Sequence, residues 1–258
     1  MKTFYSRHAG CFVRYHDFPG GGEPLLMVHG LGCASSYDYP RVVIDPAFGG
    51  RRAVLIDLPG SGYSEKPRDY AYGTGDQAQV VMELAQTLNL SAFWLYGHSM
   101  GGSIAIEAAQ QAGERLLGLA VSEPNFHTGG GQFSRTIASY SEVRFLHEEY
   151  PRMIEKYQRL PEEAEAAWAG SLLCNAPWAI WRGATALVKG GRVDWYQAFL
   201  SLNKPKQLIF GERSLPDDDF ASLAAAGVST AVIPAAGHAM SWENPSALAN
   251  ALQRFCQP

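Results

Sequence analysis

A five-residue segment, residues 97–101 (GHSMG), constrains the fold of this chain more than any other feature. It joins an apolar run at 92–96, typical of a buried strand, to a proline-free stretch at 100–112 that is rich in Ala and Ile and predicts a helix. Glycines on both sides of a serine permit a turn too sharp for larger side chains. The segment therefore predicts a strand, a tight turn and a helix in succession, with Ser99 at the turn.

Strand-like and helix-like segments alternate along most of the chain. After an N-terminal hairpin at 3–18, strands are predicted at 24–30, 53–57, 92–96, 116–121, 207–210 and 230–233, and helices at 75–90, 100–112, 218–226 and 245–255. Such alternation predicts an α/β fold, with a mostly parallel central sheet flanked by helices. In sheets of this kind the binding crevice lies at the carboxyl ends of the strands.

Residues 124–203 break the alternation, since they contain helix-like stretches and no clear strand. We interpret them as an inserted helical cap on a core formed by residues 1–123 and 204–258. The segment carries four tryptophans, Trp168, Trp178, Trp181 and Trp195. These side chains could line an apolar pocket above Ser99, although aromatics at helical spacing more often pack an element against its neighbours.

Ser99 is a candidate nucleophile, and a serine hydroxyl needs a neighbouring base to act at neutral pH. His238 follows the last predicted strand and precedes the final helix, where a base for a serine at a strand-to-helix turn is expected. The alternative is a capping or surface histidine. We favour His238 as the general base.

Four motifs together resemble the α/β-hydrolase superfamily, in particular its capped serine esterase-like branch. They are residues 29–32 (HGLG), 57–64 (DLPGSGYS), 97–102 (GHSMGG) and 237–238 (GH). The resemblance implies a nucleophile elbow at Ser99 and an oxyanion hole formed by the backbone N–H groups of Leu31 and Met100. These motifs are shared by esterases, lactonases, carbon-carbon bond hydrolases and cofactor-free haloperoxidases.

The third member of the predicted catalytic triad departs from the pattern of many relatives. An aspartate often ends a G-x-x-D motif after the strand that follows the cap, but residues 211–214 (GERS) place Ser214 there. Some members carry the acid one strand earlier, and Glu123 occupies that position, so we favour Glu123. The competing candidates are Glu212, Asp217, Asp218 and Asp219. A run of aspartates after a proline is also typical of a helix N-cap.

Composition narrows the range of partners. The formal net charge of −4 gives no broad positive field, so we expect no nucleic-acid partner. No apolar run approaches the ~20 residues of a membrane-spanning helix, and we expect no membrane partner. The four cysteines have no paired spacing, and no metal or cofactor motif is present, so we expect neither group and a cytoplasmic location.

We predict a serine hydrolase that cleaves a small, apolar carboxylic ester through an acyl-enzyme, with a small molecule as its partner. Two alternatives stay open at this stage. One is a carbon-carbon bond hydrolase acting on a ring-cleavage diketone, and the other is a low-turnover binding or receptor protein with the same fold. The sequence does not indicate the natural substrate or the oligomeric state.

Overall fold

An eight-stranded sheet forms the centre of the computed structural model, which describes residues 1–257. The strands are β1 (Lys2–Ser6), β2 (Cys11–Phe18), β3 (Gly21–Val28), β4 (Arg51–Asp57), β5 (Phe93–His98), β6 (Leu116–Ser122), β7 (Lys206–Gly211) and β8 (Ser229–Ile233). Their order is β1-β2-β4-β3-β5-β6-β7-β8. Strand β2 runs antiparallel to both neighbours, and the other pairs are parallel. The predicted hairpin and mostly parallel sheet are confirmed.

Helices account for most of the remaining chain. They are α1 (Ser35–Asp38), α2 (Pro40–Val43), α3 (Thr74–Thr87), α4 (Met100–Ala112), α5 (Gln132–Ala138), α6 (Glu142–Arg144), α7 (Tyr150–Gln158), α8 (Glu163–Leu173), α9 (Pro177–Lys189), α10 (Trp195–Leu200), α11 (Asp218–Ala225), α12 (Met240–Glu243) and α13 (Pro245–Phe255). Short 3₁₀ turns lie at Pro46–Phe48, Gly113–Arg115 and Glu212–Ser214, and a π-helical turn lies at Phe145–Glu149.

The central strands are buried on both faces, which explains their continuous apolar sequences. In β3, Leu26 and Val28 pack into one core with residues of α3 and α4. Leu25 and Met27 point to the opposite face and pack with residues of α2 and α13. This alternation follows from the two-residue period of a strand. The sheet is therefore held rigidly between two helical layers.

The chain changes direction across the sheet at β3, because β4 lies on one side of β3 and β5 on the other. In parallel α/β sheets a crevice opens at such a switch point. The loop after β3 and the turn after β5 meet there, since Val28 pairs with Gly97. A Cβ atom added to Gly30 would lie 3.2 Å from Cβ of Ser99. The fold thus brings two distant sequence motifs into contact.

The segment between β6 and β7 is helical and contains α5 to α10; no strand lies between Ser122 and Lys206, a stretch that the structure describes throughout. It has a small apolar cluster of its own. The buried members are Ile137, Phe145, Ile154, Leu172, Ile180 and Ala184. Leu31 of the loop after β3 packs against this cluster, which ties the segment to the sheet. The division of the chain into a core and a cap at 124–203 stays a prediction.

Candidate active site

Ser99 occupies the sharp turn between β5 and α4. Its backbone has φ 54° and ψ −124°, a conformation that costs a non-glycine residue about 1–3 kcal/mol. The turn is held by a hydrogen bond from the Ser99 backbone N–H to the carbonyl of Ser122, 2.9 Å long. A Cβ at Gly97 would collide with the backbone of Gly101, so glycine is required there. The strained turn presents the Ser99 side chain at the cavity wall.

His238 and Glu123 form a hydrogen-bonded pair. The Nδ1 atom of His238 lies 2.6 Å from Oε2 of Glu123, and because a carboxylate only accepts hydrogen bonds, Nδ1 carries the proton. The other oxygen of Glu123 accepts the backbone N–H of Gly211 at 2.9 Å. The Nε2 atom of His238 is thereby left as the unprotonated nitrogen of the neutral ring.

The environment of Glu123 favours its ionised form. Burial alone would raise the pKa of this carboxyl, but the hydrogen bond and charge of His238 hold the pKa below its ordinary value. The backbone N–H of Gly211 and the hydroxyl of Ser214 act in the same direction. Ser214, which stands where many relatives have the acid, thus supports the carboxylate at Glu123.

The other candidate acids have different partners. Asp217 accepts the backbone N–H of Phe220 and caps α11, as the alternative interpretation of the aspartate run predicted. Asp219 pairs with His127 at 2.9 Å, and Glu212 accepts the backbone N–H of Ala235 at 2.8 Å. Within residues 1–257, neither these three nor Asp218 hydrogen-bonds to His238. The geometry therefore favours Glu123 over its competitors.

The two predicted oxyanion donors adjoin residues that meet at the turn: Met100 follows Ser99, and Leu31 follows Gly30, which lies against Ser99. Leu31 belongs to the loop after β3, and Met100 is the first residue of α4. Neither backbone N–H donates to another described residue, so both are free for a ligand. The side chains of Leu31 and Met100 both approach Gly183 of α9, where a Cβ would lie 3.3 Å from each. A small residue in the helical segment thus lets α9 pack above the turn.

A second histidine lies beside the pair, and the sequence indicated it only as a neighbour of Ser99. The rings of His98 and His238 are 4.6 Å apart. The hydroxyl of Ser122 bonds both Nδ1 of His98, at 2.9 Å, and the hydroxyl of Tyr96, at 2.7 Å. Burial, followed by the nearby charge of His238, lowers the pKa of His98 to about 3. His98 is therefore neutral at physiological pH.

A cavity of about 440 Å³ contains Ser99, Glu123 and His238 in its wall. Its aromatic lining residues are Tyr39, Phe126, Phe133, Trp168, Phe210 and Trp242. Among the four tryptophans of the helical segment, Trp168 alone lines it. The other three pack against protein groups, which are the Arg68 guanidinium for Trp178, the Tyr140 carbonyl for Trp181 and the Glu107 carboxylate for Trp195. The packing interpretation thus holds for most of them.

Metal ligands and membrane spans are not found in the part of the chain that the structure describes. No group of three or more His, Cys, Asp or Glu side chains among residues 1–257 is arranged to hold a metal ion. Over the same residues, no helix has the length and apolar character needed to span a bilayer.

Some curated proteins match this chain over nearly its whole length. The 2-succinyl-6-hydroxy-2,4-cyclohexadiene-1-carboxylate synthase of Salmonella newport (strain SL254) is 29% identical over 249 residues, which cover 91% of this chain and 94% of the relative. The 2-hydroxymuconate semialdehyde hydrolase of Pseudomonas sp. (strain CF600) is 32% identical over 114 residues, 44% of this chain and 40% of the relative. Curated relatives at 32–34% identity are matched over only 30–40% of their length.

Comparison with solved structures and family models agrees on the fold. The thermophilic esterase from Thermogutta terrifontis superposes with a TM-score of 0.78 at 21% identity, over 98% of this chain and 97% of that one. The family model described as alpha/beta hydrolase fold matches residues 23–245, most of the sequence. The chain therefore belongs to the alpha/beta hydrolase fold family.

Proposed function

We propose that this hydrolase-family protein is a serine hydrolase that cleaves small carboxylic esters through an acyl-enzyme. One observation carries the proposal: Ser99, on a strained strand-to-helix turn, shares a cavity with a histidine whose far nitrogen is bonded to a buried carboxylate. A strained serine beside an oriented base is the arrangement that nucleophilic catalysis requires.

All four cysteines are free, which supports a reducing, cytoplasmic location.

Acylation uses the proton arrangement of the histidine. Because Nδ1 of His238 donates to Glu123, Nε2 is available to accept the proton of Ser99 as its oxygen attacks the ester carbonyl. The resulting tetrahedral intermediate places its negative oxygen between the N–H groups of Leu31 and Met100. Each such donor contributes about 2.7–4 kcal/mol of transition-state stabilisation in comparable hydrolases. His238 then gives its proton to the leaving alcohol.

Deacylation repeats the same steps with water. Nε2 of His238 takes a proton from water as the water attacks the acyl carbon, and the proton returns to Ser99 as the acid leaves. Throughout, Glu123 stabilises the imidazolium and holds one tautomer. The low pKa of His98 keeps that ring from competing for the proton or adding positive charge beside His238.

The cavity supports a small substrate with an apolar part. A volume near 440 Å³ falls in the range of ligand pockets that bury small molecules. Phe126, Phe133 and Trp168 supply apolar wall on the side of the helical segment. Apolar wall of this kind favours burial of an alkyl or aryl group over a strongly hydrated one.

The first experiment measures hydrolysis of short-chain p-nitrophenyl esters and labelling by a serine-directed phosphonate. We expect turnover and a single covalent adduct in the wild type, and loss of both in Ser99→Ala. Ser241→Ala is the matched control, because Ser241 also lines the cavity but is not at the turn. Its phosphonate adduct should persist. Wild-type protein that neither hydrolyses an acyl ester nor reacts with the phosphonate refutes the proposal.

The named relative that hydrolyses 2-hydroxymuconate semialdehyde favours a second candidate, a carbon-carbon bond hydrolase on the same site. A substrate panel that includes vinylogous diketones separates the esterase from the carbon-carbon bond hydrolase. The second hypothesis requires diketone cleavage to exceed ester cleavage. A low-turnover binding protein is the remaining alternative. It requires tight ligand binding without release of product in the same panel.

A further inference from the structure

The charged side chains around the cavity are nearly all acidic. Six carboxylates line it, those of Asp38, Glu123, Glu165, Asp217, Asp219 and Glu243. Within residues 1–257, no lysine or arginine side chain lines the cavity, and its two histidines are His98 and His238. Basic groups pair with three of the six: His238 with Glu123, His127 with Asp219, and Arg213 with Glu243. The other three have no such partner among the described residues.

Asp38, at the end of α1, is the buried member of the unpaired three. It is only 7% exposed, and its hydrogen-bond donors are neutral groups. The indole N–H of Trp242 donates to Oδ1 at 3.0 Å, and the thiol of Cys33 and the backbone N–H of Ala34 also favour the carboxylate. Burial raises the pKa of Asp38 to about 6, so the side chain is still ionised at neutral pH. A buried, uncompensated negative charge therefore faces the cavity.

A nearby cation does not neutralise Asp38. The Arg41 guanidinium stacks on the ring of Trp242 at 3.9 Å, and it lies 3.7 Å from the carboxylate of Glu163. It does not line the cavity. Nor does it come within ion-pair distance of Asp38. A ligand in the cavity thus meets the charge of Asp38 without an intervening arginine.

A charge in a partly enclosed site acts strongly on ligand charge, because little water lies between them to screen it. We propose that the cavity selects esters by charge, preferring cationic esters to uncharged ones of the same shape and rejecting anionic ones, with Asp38 as the specificity-determining residue. The proposal rests on the proposed ester hydrolysis at Ser99. It adds a substrate class that the apolar wall alone does not predict.

The test compares two matched series of esters in a pH-stat at pH 7.5. The first contains butyryl esters of alcohols whose two-carbon chain ends in a trimethylammonium group (butyrylcholine), a tert-butyl group or the anionic group C(CH₃)₂CO₂⁻. The second contains ethyl esters whose acyl chains end in the same three groups. We expect kcat/KM to fall in the order cationic, neutral, anionic in at least one series, with at least about a tenfold step, or 1.4 kcal/mol, between cationic and neutral. A reversed order in either series, or no order in both, overturns the proposal.

Asp38→Asn assigns the effect to one residue. Asparagine retains an oxygen that accepts the Trp242 N–H while the charge is lost. We expect the ratio of kcat/KM for the cationic and neutral esters to fall at least about tenfold, equivalent to 1.4 kcal/mol. Glu114→Gln removes the same charge from an exposed residue outside the cavity and should leave the ratio unchanged. Equal losses on both esters in Asp38→Asn would refute a charge-selective role.

Two further readouts keep the test decisive. If Asp38→Asn does not fold, Asp38→Ser replaces it, because the serine hydroxyl also accepts a hydrogen bond and carries no charge. An unchanged ratio of kcat/KM for the cationic and neutral esters in that variant would overturn the role of Asp38. The wild type could hydrolyse the neutral ester, and Ser99→Ala fail to do so, while kcat/KM shows no dependence on ester charge. That result rejects charge selection but leaves the proposed ester hydrolysis standing. Absence of all hydrolysis rejects the proposed function instead.

Discussion

Glu123→Gln should abolish most activity because of how the two oxygens of Glu123 are used. One oxygen accepts the Gly211 backbone N–H at 2.9 Å, and the other accepts Nδ1–H of His238 at 2.6 Å. Glutamine has one oxygen and one NH₂ group. If its oxygen stays on Gly211, the NH₂ group faces Nδ1 of His238. His238 must then carry its proton on Nε2, where it cannot accept the proton of Ser99.

The opposite amide orientation is unfavourable. It would set the NH₂ group against the Gly211 N–H and leave a largely buried donor without an acceptor, at a cost of about 1–3 kcal/mol. The wrong tautomer should therefore dominate. In comparable triads this change lowers kcat about 10⁴-fold, which corresponds to about 5.4 kcal/mol in the activation free energy. We expect a 10³–10⁴-fold loss of kcat with little change in KM.

The assay is steady-state hydrolysis of p-nitrophenyl butyrate, with rates normalised to protein concentration. Asp217→Asn is the matched control, since Asp217 lines the same cavity but caps α11 through the Phe220 N–H. It should retain kcat within about threefold, because an asparagine N-cap is as good as aspartate. The double variant Ser99→Ala/Glu123→Gln should be no slower than Ser99→Ala, as expected of residues that act as a unit. A Glu123→Gln variant within tenfold of wild type, or an equal loss in Asp217→Asn, would refute the reasoning.

Two further predictions concern stability. Burial raises the folded-state pKa of Asp38 to about 6 from 3.8, so its charge destabilises the fold increasingly as pH rises between these values. Asp38→Asn should therefore increase the free energy of unfolding by about 2–3 kcal/mol at pH 7.5 and by little at pH 4; urea titrations that show the same gain at both pH values would contradict this. Gly101→Ala should destabilise by about 1–3 kcal/mol or more, because its Cβ would collide with the His29 carbonyl. Gly21→Ala, which meets no atom within 4 Å, is the control, and equal melting temperatures of the two variants would exclude the clash.

Local patterns predicted the regular elements closely. The helix predicted at 100–112 is α4, and the one predicted at 245–255 is α13. Both signals lie within a few residues of chain, in apolar periodicity and in breakers such as Pro245. Strand β3 begins earlier than predicted, at Gly21, because tertiary pairing with Arg51 extends it through a glycine-rich stretch. Backbone pairing of that kind leaves no trace in hydrophobic patterning.

The arrangement of the candidate site was predictable in part. The order of Ser99 and His238 relative to their strands pointed to both residues, but it left Glu123 in competition with the aspartates of 217–219. The side chain of Glu123 reaches His238 across 115 positions of sequence. It does so because β6 and β7 are neighbours, so that the residue after β6 meets Gly211 at the end of β7. No pattern within a single segment encodes that meeting.

The sequence by itself determined the alternation of strands and helices and the sharp turn at Ser99, because both follow from side-chain size, periodicity and glycine placement over short stretches. Tertiary structure alone decided which carboxylate pairs with His238 and which side chains face the cavity. It set Asp38 in the wall as a buried charge with neutral donors, and it made most tryptophans of the helical segment packing residues. These outcomes depend on how distant loops pack, and packing is a property of the whole fold.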